Sequence, residues 1–353
     1  MAVQLKKLKD QVIVVTGASS GIGLATARIA ASRGARVVLA ARDRESLVAI
    51  VDEITSRGGE AIYVVADVSE FDDVRDIVDA AETEFGGFDT WVNNAGLSIY
   101  GATEEVPLSD ARRLFDVNYW GMVNGSLAAL PFLRARGGAL INIGSVGSEM
   151  PLPLQGHYSA SKHAVKGFTD SIRLEVEKDD APVVVTLIKP ASIDTPFPEH
   201  ARNYMDVRPK LAPPVYAPEV VAEAILFCAE HPRREVTVGG GGRAMTAMSG
   251  GPLADRYMKA TMFKQQQSDE DETERPDSLY APQGGGRTRG THQGRVMSSS
   301  AYTAAAIRPM ATVLSVIAAG TALTMASKAF TRNGAAKMRK RPRLKRESQS
   351  SDG

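Results

Sequence analysis

The stretch VIVVTGASSGIG, from Val12 to Gly23, joins a run of β-branched residues directly to a glycine-rich turn. An apolar run as short as VIVV is typical of a strand that is buried on both faces. Glycines let the chain turn tightly and bring its backbone amides close to a phosphate, which the N-terminus of a following helix also favours. The spacing GxxxGxG from Gly17 therefore predicts a dinucleotide-binding turn, and a plain strand-to-helix turn stays open as the alternative.

Further apolar runs follow along the chain and are separated by stretches of helical period. They are ARVVLA, EAIYVVA, DTWVNN, ALINIG, VVVTLI and REVTVG, which begin at residues 35, 60, 89, 139, 183 and 234. Strands this apolar, with helices between them, indicate a parallel sheet that is covered on both faces. The sequence thus predicts a doubly wound α/β fold of Rossmann-like type, in a single domain with a C-terminal extension.

The composition excludes several classes of protein. With 43% hydrophobic and 24% charged residues in a chain of 353, the protein is expected to be globular, and a single cysteine rules out an internal disulfide and a cysteine-based zinc cluster. No metal site is predicted. Because Val12–Val15 is too short for a signal-peptide core, we expect a cytoplasmic protein.

The C-terminal part differs in character from the rest. We predict a catalytic domain over 1–264, a disordered linker over 265–308 that contains DEDETE and QGGGRTRG, a hydrophobic helix over 309–333 and a basic disordered tail over 334–353. Pro309–Ser327 carries no charge, and nine Lys or Arg against two acids follow from Lys328 onward.

This composition predicts contact of 309–346 with a membrane surface. A single-span anchor, a basic tail for nucleic acid and a helix packed on another subunit stay open as alternatives, although no nucleic acid partner is expected.

The end of the second predicted strand bears on cofactor choice. A carboxylate at this position binds the ribose hydroxyls of NAD, but here the chain has Ala41 followed by Arg42. A cation without a repelling carboxylate suits the 2′-phosphate of NADP, with Ser19 as a second contact. We therefore predict NADP rather than NAD; the alternative is that Arg42 is a solvated loop arginine.

The segment YSASK places Tyr158 four residues before Lys162, so that a helix brings both side chains to one face. An ammonium near a phenol favours the phenolate and lowers the pKa of the tyrosine, which suits a general acid or base. Such a pair also arises by chance. Ser145 lies 13 residues before the tyrosine, at the end of a predicted strand, where its hydroxyl could equally cap a turn.

Together, TGASSGIG, Asp67-Val68, NNAG at 93–96, Asn118, Ser145 and YSASK resemble the short-chain dehydrogenase/reductase family over roughly residues 8–240. The resemblance implies a catalytic tetrad of Asn118, Ser145, Tyr158 and Lys162. In this family the tyrosine transfers the proton, the serine holds the substrate oxygen, the lysine binds the nicotinamide ribose and the asparagine holds a water of the proton relay.

The resemblance also implies which residues bind the cofactor. Asp67 and Val68 would contact the adenine, and Thr195 would bond the nicotinamide carboxamide. The implied set is Gly17, Ser19, Ser20, Gly21, Ile22, Gly23, Arg42, Asp67, Val68, Asn94, Ala95, Gly96, Tyr158, Lys162, Pro190, Ile193 and Thr195. One departure is Ala191, which stands where the family usually has a glycine after the proline.

The resemblance predicts an NADP-dependent oxidoreductase. The apolar segments 97–103 and 192–216, which contain Tyr204 and Met205, are predicted to line the substrate pocket and favour a hydrophobic ketone, aldehyde or secondary alcohol. The alternative is a regulatory or scaffold protein that binds a dinucleotide without turnover. We also expect a homo-oligomer.

Overall fold

A computed structural model describes residues 3–248, 251–273 and 275–307. Its strands are β1 (Val12–Thr16), β2 (Arg36–Ala41), β3 (Ala61–Val65), β4 (Thr90–Asn93), β5 (Ile99–Tyr100), β6 (Gly138–Ile143), β7 (Val183–Pro190), β8 (Arg202–Asn203), β9 (Val207–Pro209), β10 (Val215–Tyr216), β11 (Glu235–Val238), β12 (Gln267–Asp271) and β13 (Val296–Met297).

The helices are α1 (Gly21–Ser32), α2 (Arg44–Ser56), α3 (Phe71–Phe85), α4 (Leu108–Phe115), α5 (Gly121–Arg136), α6 (Gly156–Lys178), α7 (Phe197–His200), α8 (Pro218–Glu230), α9 (Gly240–Met248), α10 (Pro252–Gln266) and α11 (Ala301–Ile307). Short 3-10 helices occupy Leu8–Asp10 and Val146–Ser148, and a π-helical turn occupies Asp116–Trp120.

Seven strands form the central sheet, in the order β3-β2-β1-β4-β6-β7-β11. Every neighbouring pair in it is parallel. These are the seven runs that the sequence marked as strands, so the predicted doubly wound α/β fold is confirmed.

Alternate residues of β1 build the two halves of the core. Ile13 and Val15 pack into one buried cluster with residues of α1 and α8, whereas Val12 and Val14 pack into a second cluster on the other face. Because side chains alternate across a strand, a strand covered on both faces must be apolar at every position. Each such side chain contributes roughly 1.5–3 kcal/mol by burial.

The sheet order reverses at β1, whose neighbours are β2 on one side and β4 on the other. From β1 the chain continues to β2 and β3 on one side of the sheet, whereas from β4 it continues to β6, β7 and β11 on the other side. A crevice therefore opens between β1 and β4, at the carboxyl ends of the strands. The residues that follow β1, β2, β4, β6 and β7 therefore meet at one edge of the sheet.

The described part of the segment 265–308, which composition predicted to be a disordered linker, contains regular structure. Within this segment β12 pairs antiparallel with β9, β13 pairs parallel with β10, and α11 packs beside β11. The compact unit that begins the chain extends to Ile307, well beyond the predicted boundary at 264. The segment is poor in apolar residues, but it is held by contacts with distant residues, such as the ion pair between Arg202 and Asp277 at 2.5 Å.

The predicted hydrophobic helix over 309–333 and the basic tail over 334–353 lie outside the described residues, and their contact with a membrane surface stays a prediction. Within 3–248, 251–273 and 275–307, no helix is long and apolar enough to cross a membrane.

Candidate active site

A cleft of about 300 Å³ opens at the carboxyl ends of the central strands. All the predicted cofactor residues except Gly23 line it: Gly17, Ser19, Ser20, Gly21, Ile22, Arg42, Asp67, Val68, Asn94, Ala95, Gly96, Tyr158, Lys162, Pro190, Ile193 and Thr195. Ser145 also lines the cleft, whereas Asn118 lies behind its wall.

The glycine-rich turn packs so closely against its neighbours that a side chain at Gly17 or Gly23 would clash. Gly17 has a φ of +64°, and a Cβ there would come within 2.8 Å of the Ala95 Cα. Gly23 faces inward, since a Cβ at this position would lie 2.2 Å from the Gly17 carbonyl oxygen. Gly23 therefore sets the distance between α1 and the turn and does not line the cleft. The glycine-rich turn, which lines the cleft, and the N-terminus of α1 fit the pyrophosphate of a dinucleotide.

The segment NNAG braces this turn. The Asn94 side-chain amide donates to the carbonyl oxygens of Thr16 at 2.9 Å and Gly17 at 3.2 Å. The backbone amides of Asn94 and Ala95 both donate to the Thr16 hydroxyl, at 3.0 and 3.2 Å. The side chain of Asn94 thus holds the ends of β1 and β4 together, and its backbone forms the wall of the cleft.

Charged residues surround the end of β2. The guanidinium of Arg42 donates to the backbone carbonyls of Ser278 and Tyr280, and it lies 3.9 Å from the Asp67 carboxylate. Arg42 is therefore a partly buried residue of the cleft, and the alternative of a freely solvated arginine is wrong. Its contacts with residues more than two hundred positions away could not be predicted from the sequence.

The Asp67 carboxylate accepts hydrogen bonds from two residues near it, Arg113 and Ser69. Arg113 donates to its carboxylate at 2.5 Å, and the Ser69 hydroxyl and amide donate at 2.8 and 3.0 Å. Burial raises the pKa of Asp67, but the hydrogen bonds from Arg113 and Ser69 outweigh it, so that the pKa lies below its usual value. Arg113 comes from α4, and no sequence motif marked it.

Tyr158 and Lys162 lie one turn apart on α6, with the Lys162 Nζ 5.8 Å from the centre of the tyrosine ring. Both side chains are buried. The ammonium donates to the Ile143 carbonyl oxygen at 2.9 Å, at the end of β6. Burial lowers the pKa of Lys162 to about 8, because the charged form loses its hydration.

The pKa of the Tyr158 phenol is raised in this structure, whereas the sequence predicted that it is lowered. Burial raises the pKa of Tyr158, and the hydrogen bond with the Ser145 hydroxyl opposes this only in part. The phenol is thus protonated at neutral pH and able to donate its proton. The ring of Phe197 packs edge-on against it, with centroids 5.9 Å apart, which keeps water away from one side.

Ser145 has two roles in the structure. Its hydroxyl accepts a hydrogen bond from the Gly147 amide at 3.0 Å, while the Ser145 amide donates to the Ser148 hydroxyl at 3.1 Å. The Ser145 hydroxyl also bonds the Tyr158 phenol. The capping role and the contact with the tyrosine coexist, because a hydroxyl both donates and accepts.

Asn118 occupies the π-helical turn between α4 and α5. Its side chain accepts from the Leu97 amide at 2.7 Å and donates to the Leu97 carbonyl at 2.9 Å and the Ser161 hydroxyl at 3.1 Å. A Cβ on Gly96 would lie 3.4 Å from Asn118 Oδ1 and 3.6 Å from Lys162 Nζ. The two predicted relay residues therefore meet around Gly96.

Ala191 is accommodated where the family usually has glycine. A Cβ on Gly239 would lie 3.0 Å from the Ala191 Cβ, and one on Gly242 would lie 2.7 Å from it. The extra methyl group thus fills space that two glycines leave open, and Pro190, Ala191 and Ser192 still line the cleft.

Several lining residues carried no motif of their own, although Ser98, Tyr100, His200 and Lys210 fall within the segments 97–103 and 192–216 that were predicted to line the substrate pocket. Tyr100 is buried beside Tyr158. Its burial, and to a smaller extent the charge of the nearby Tyr158, raise the pKa of Tyr100. Gln155 donates to the Ser98 hydroxyl at 2.8 Å. His200, Lys210, Met245, Met262 and Gln266 complete the outer wall.

Of the residues predicted to line the substrate pocket, Tyr204 turns away from the cleft. Its hydroxyl donates to the buried carboxylate of Asp110 at 2.6 Å. Met205 is likewise absent from the described cleft wall, whereas Leu97, Ser98, Tyr100, Phe197 and Leu211 belong to it.

A family model for short chain dehydrogenases matches residues 11–205. The chain belongs to the short-chain dehydrogenase/reductase family. An uncharacterized oxidoreductase, YxnA from Bacillus subtilis, is 47% identical over 332 residues, which cover 92% of this chain and 92% of that protein. An 11-beta-hydroxysteroid dehydrogenase A from Sesamum indicum is 39% identical over 187 residues, which cover 52% of this chain and 53% of that protein.

Solved structures of the family superpose on the chain. An alcohol dehydrogenase from Thermococcus sibiricus, complexed with 5-hydroxy-NADP, has a TM-score of 0.57 and 27% identity over 65% of this chain and 95% of that one. A short-chain dehydrogenase/reductase from Burkholderia phymatum, in complex with NAD, has a TM-score of 0.63 and 25% identity over 78% of this chain and 100% of that one.

This short-chain dehydrogenase/reductase is an NAD(P)-dependent oxidoreductase. The relatives therefore decide against the regulatory or scaffold protein that the sequence alone left open. The glycine-rich turn, the N-terminus of α1 and the lining from Asp67 to Thr195 fit a nicotinamide dinucleotide.

Proposed function

We propose that the protein transfers hydride between NADP and a hydrophobic ketone or aldehyde, or the corresponding secondary alcohol. The observation that carries this proposal is the buried Tyr158 phenol, which is hydrogen-bonded to Ser145 at the cleft and lies beside the Lys162 ammonium. A nicotinamide ring bound in the cleft supplies or accepts the hydride.

The side chains supply the proton chemistry. Tyr158 donates its proton to the carbonyl oxygen during reduction and takes one from the alcohol during oxidation. Ser145 holds the same oxygen by a hydrogen bond. Lys162 binds the nicotinamide ribose, and together with Asn118 it carries the replacement proton toward solvent. Both side chains are nearly fully buried, and both border Gly96.

The apolar walls of the cleft support a hydrophobic substrate. Leu152 and Phe197 lie near the tyrosine, and Met245, Met262 and Leu211 line the outer part. Methionines adapt their shape to irregular apolar ligands. The name of the sesame relative, a hydroxysteroid dehydrogenase, agrees with an apolar substrate.

A substrate panel tests this proposal. We expect purified protein to oxidise NADPH in the presence of hydrophobic ketones or aldehydes and to leave charged carbonyl compounds, such as 2-oxo acids, unreduced. The loss of NADPH absorbance reports the reaction. Turnover of 2-oxo acids in preference to the hydrophobic compounds would contradict the proposed substrate class.

NADP preference is supported by Ala41, which is buried at the end of β2, and by Arg42 in the cleft wall. We predict that the double variant Ala41→Asp with Arg42→Ala binds NADH more tightly than NADPH, because the carboxylate repels the 2′-phosphate and accepts the ribose hydroxyls. Fluorescence titration with both cofactors measures the preference. Arg44→Ala is the matched control, since Arg44 is an exposed neighbour on α2; equal affinities of the wild type for NADPH and NADH would contradict the assignment.

A further inference from the structure

Residues 278–290, here called the cofactor strap, run across the mouth of the cleft from the end of β2 to the region of Thr195. The strap belongs to the segment that composition predicted to be disordered, and Ser278, Pro282 and Gln283 line the cleft. Its contacts fall on the turns that hold the dinucleotide in the proposed function.

The middle of the strap pairs with the glycine-rich turn by backbone hydrogen bonds. The amide of Gly286 donates to the Ser19 carbonyl at 2.8 Å, and the amide of Gly21 donates to the Arg287 carbonyl at 3.0 Å. The strap thus lies directly on the turn that fits the pyrophosphate.

The start of the strap is fastened to the adenosine side. Arg42 donates to the Ser278 carbonyl, and the Arg113 Nε donates to the Leu279 carbonyl at 3.1 Å. The Gly285 amide donates to the Ser46 hydroxyl at 2.9 Å and to the Asp43 carboxylate at 3.1 Å. Both arginines that border Asp67 therefore bind the strap.

The end of the strap reaches the nicotinamide side. Arg287 forms an ion pair with Glu199 at 2.9 Å, and the amide of Thr291, the residue that follows the strap, donates to the same carboxylate at 2.7 Å. A Cβ on Gly290 would lie 2.5 Å from the Thr195 carbonyl oxygen. The backbone passes this closely because glycine stands at the crossing point.

We propose that the cofactor strap is an additional wall of the cofactor site, which closes over the adenosine and pyrophosphate and must lift for the dinucleotide to enter or leave. Ser278, Pro282 and Gln283 are the strap residues that contact the adenosine half. The inference rests on the proposed use of a nicotinamide dinucleotide by this cleft. It assigns to a C-terminal segment, which lies beyond the residues 11–205 matched by the family model, a direct part in holding the cofactor.

Adjacent glycines allow a matched pair of variants. A Cβ on Gly285 would lie 2.5 Å from the Ser19 carbonyl oxygen and 2.7 Å from the Ser46 hydroxyl, whereas one on Gly284 would meet nothing within 4 Å. Gly285→Val therefore pushes the strap off the turn, and Gly284→Ala leaves it in place. Neither substitution removes a side chain from the strap.

The first measurement is the rate at which bound NADPH leaves, followed by stopped-flow fluorescence after a chase with excess NADP. We expect Gly285→Val to release NADPH about tenfold faster than wild type, which corresponds to the loss of one or two hydrogen bonds, and Gly284→Ala to release it at the wild-type rate. An unchanged rate in Gly285→Val would overturn the proposal. Tighter binding in that variant would overturn it too, since it would make the strap a competitor of the cofactor.

A second measurement uses the wild-type chain, so that it does not depend on the folding of a variant. Arg287 and Arg289 are exposed trypsin sites within the strap, and cleavage there requires the strap to open locally. We expect NADPH to slow cleavage at these two sites at least about fivefold, and equal rates with and without NADPH would overturn the strap. Failure of the wild type to bind either NADPH or NADH would instead overturn the proposed function together with the strap.

Discussion

At the scale of single residues, Lys162 carries an ammonium group that is almost completely buried. Its ammonium has the Ile143 carbonyl as a partner at 2.9 Å, and its side chain is packed beneath Tyr158 on α6. A single neutral partner does not replace the hydration that the ammonium loses, and for this reason its pKa falls to about 8. The cost falls at a position where the proposed function uses a cation to bind the nicotinamide ribose.

The cost of burying Lys162 predicts a pH dependence of stability. Below a pH of about 8 the lysine is charged in the folded and the unfolded chain, so the cost is fully present. Between about 8 and its usual value of 10.5 the unfolded chain binds more protons, and folded stability rises with pH. We predict that Lys162→Met is about 1–3 kcal/mol more stable than wild type at neutral pH and that this advantage shrinks toward a pH of about 10.

Urea denaturation at neutral pH and at a pH of about 10 measures the free energy of unfolding of both proteins. Lys178→Met is the control, because Lys178 is exposed at the end of the same helix and should give a difference that is independent of pH. A constant advantage of Lys162→Met at both pH values would show that burial does not perturb this lysine.

Motif spacing in the sequence indicates which residues line the cleft better than it indicates what surrounds them. Gly17, Ser145, Tyr158 and Lys162 are spaced by local geometry, and each lies where the motif places it. Arg113, which binds the Asp67 carboxylate, comes from α4, an element with no motif of its own. Burial, which sets the direction of the Tyr158 pKa, depends on side chains that surround the phenol from several elements.

At the scale of secondary structure, α1 depends on close contact with the turn that precedes it. Gly23 allows this contact, whereas Gly167 lies on α6 at a point where an added Cβ would meet nothing within 4 Å. We predict that Gly23→Ala weakens NADPH binding and lowers stability by about 1–3 kcal/mol, through the clash with the Gly17 carbonyl. Gly167→Ala should raise stability by about 1 kcal/mol, because alanine is the better helix former.

Thermal unfolding and fluorescence titration of both variants test this contrast. NADPH affinity equal to that of the wild type in Gly23→Ala would show that α1 can shift without disturbing the turn. Gly167→Ala supplies the baseline for a helix glycine whose added methyl group has open space around it.

Long elements of the fold were predictable and short ones were not. The seven strands of the central sheet are apolar at nearly every position, since both of their faces are covered. By contrast, β8, β10 and β13 contain two residues each, too few to show a period. Their pairing depends on partners such as Val215 and Val296, which are far apart in the chain.

At the scale of the whole molecule, large apolar side chains are exposed on neighbouring helices. Trp120, Leu127 and Leu174 are 52%, 51% and 58% exposed and belong to the π-helical turn, α5 and α6. Exposed apolar residues concentrated in this way are typical of an interface between subunits. We predict that the chain self-associates through these helices and that Leu127→Arg with Leu174→Arg shifts it toward the monomer in analytical ultracentrifugation.

Val48→Arg is the control for this prediction, because Val48 is 37% exposed but lies on α2. A wild-type chain that sediments as a monomer would contradict the predicted homo-oligomer. An oligomer that survives both arginines would place the interface elsewhere on the molecule.

The central claim is that Tyr158 transfers the proton in an NAD(P)-dependent oxidation or reduction, and Tyr158→Phe tests it most directly. The variant keeps the ring that packs against Phe197 and removes only the hydroxyl that bonds Ser145. With a carbonyl compound that the wild type reduces, we predict a loss of roughly two to four orders of magnitude in turnover, with NADPH affinity nearly unchanged in fluorescence titration. Turnover close to that of the wild type would contradict the account.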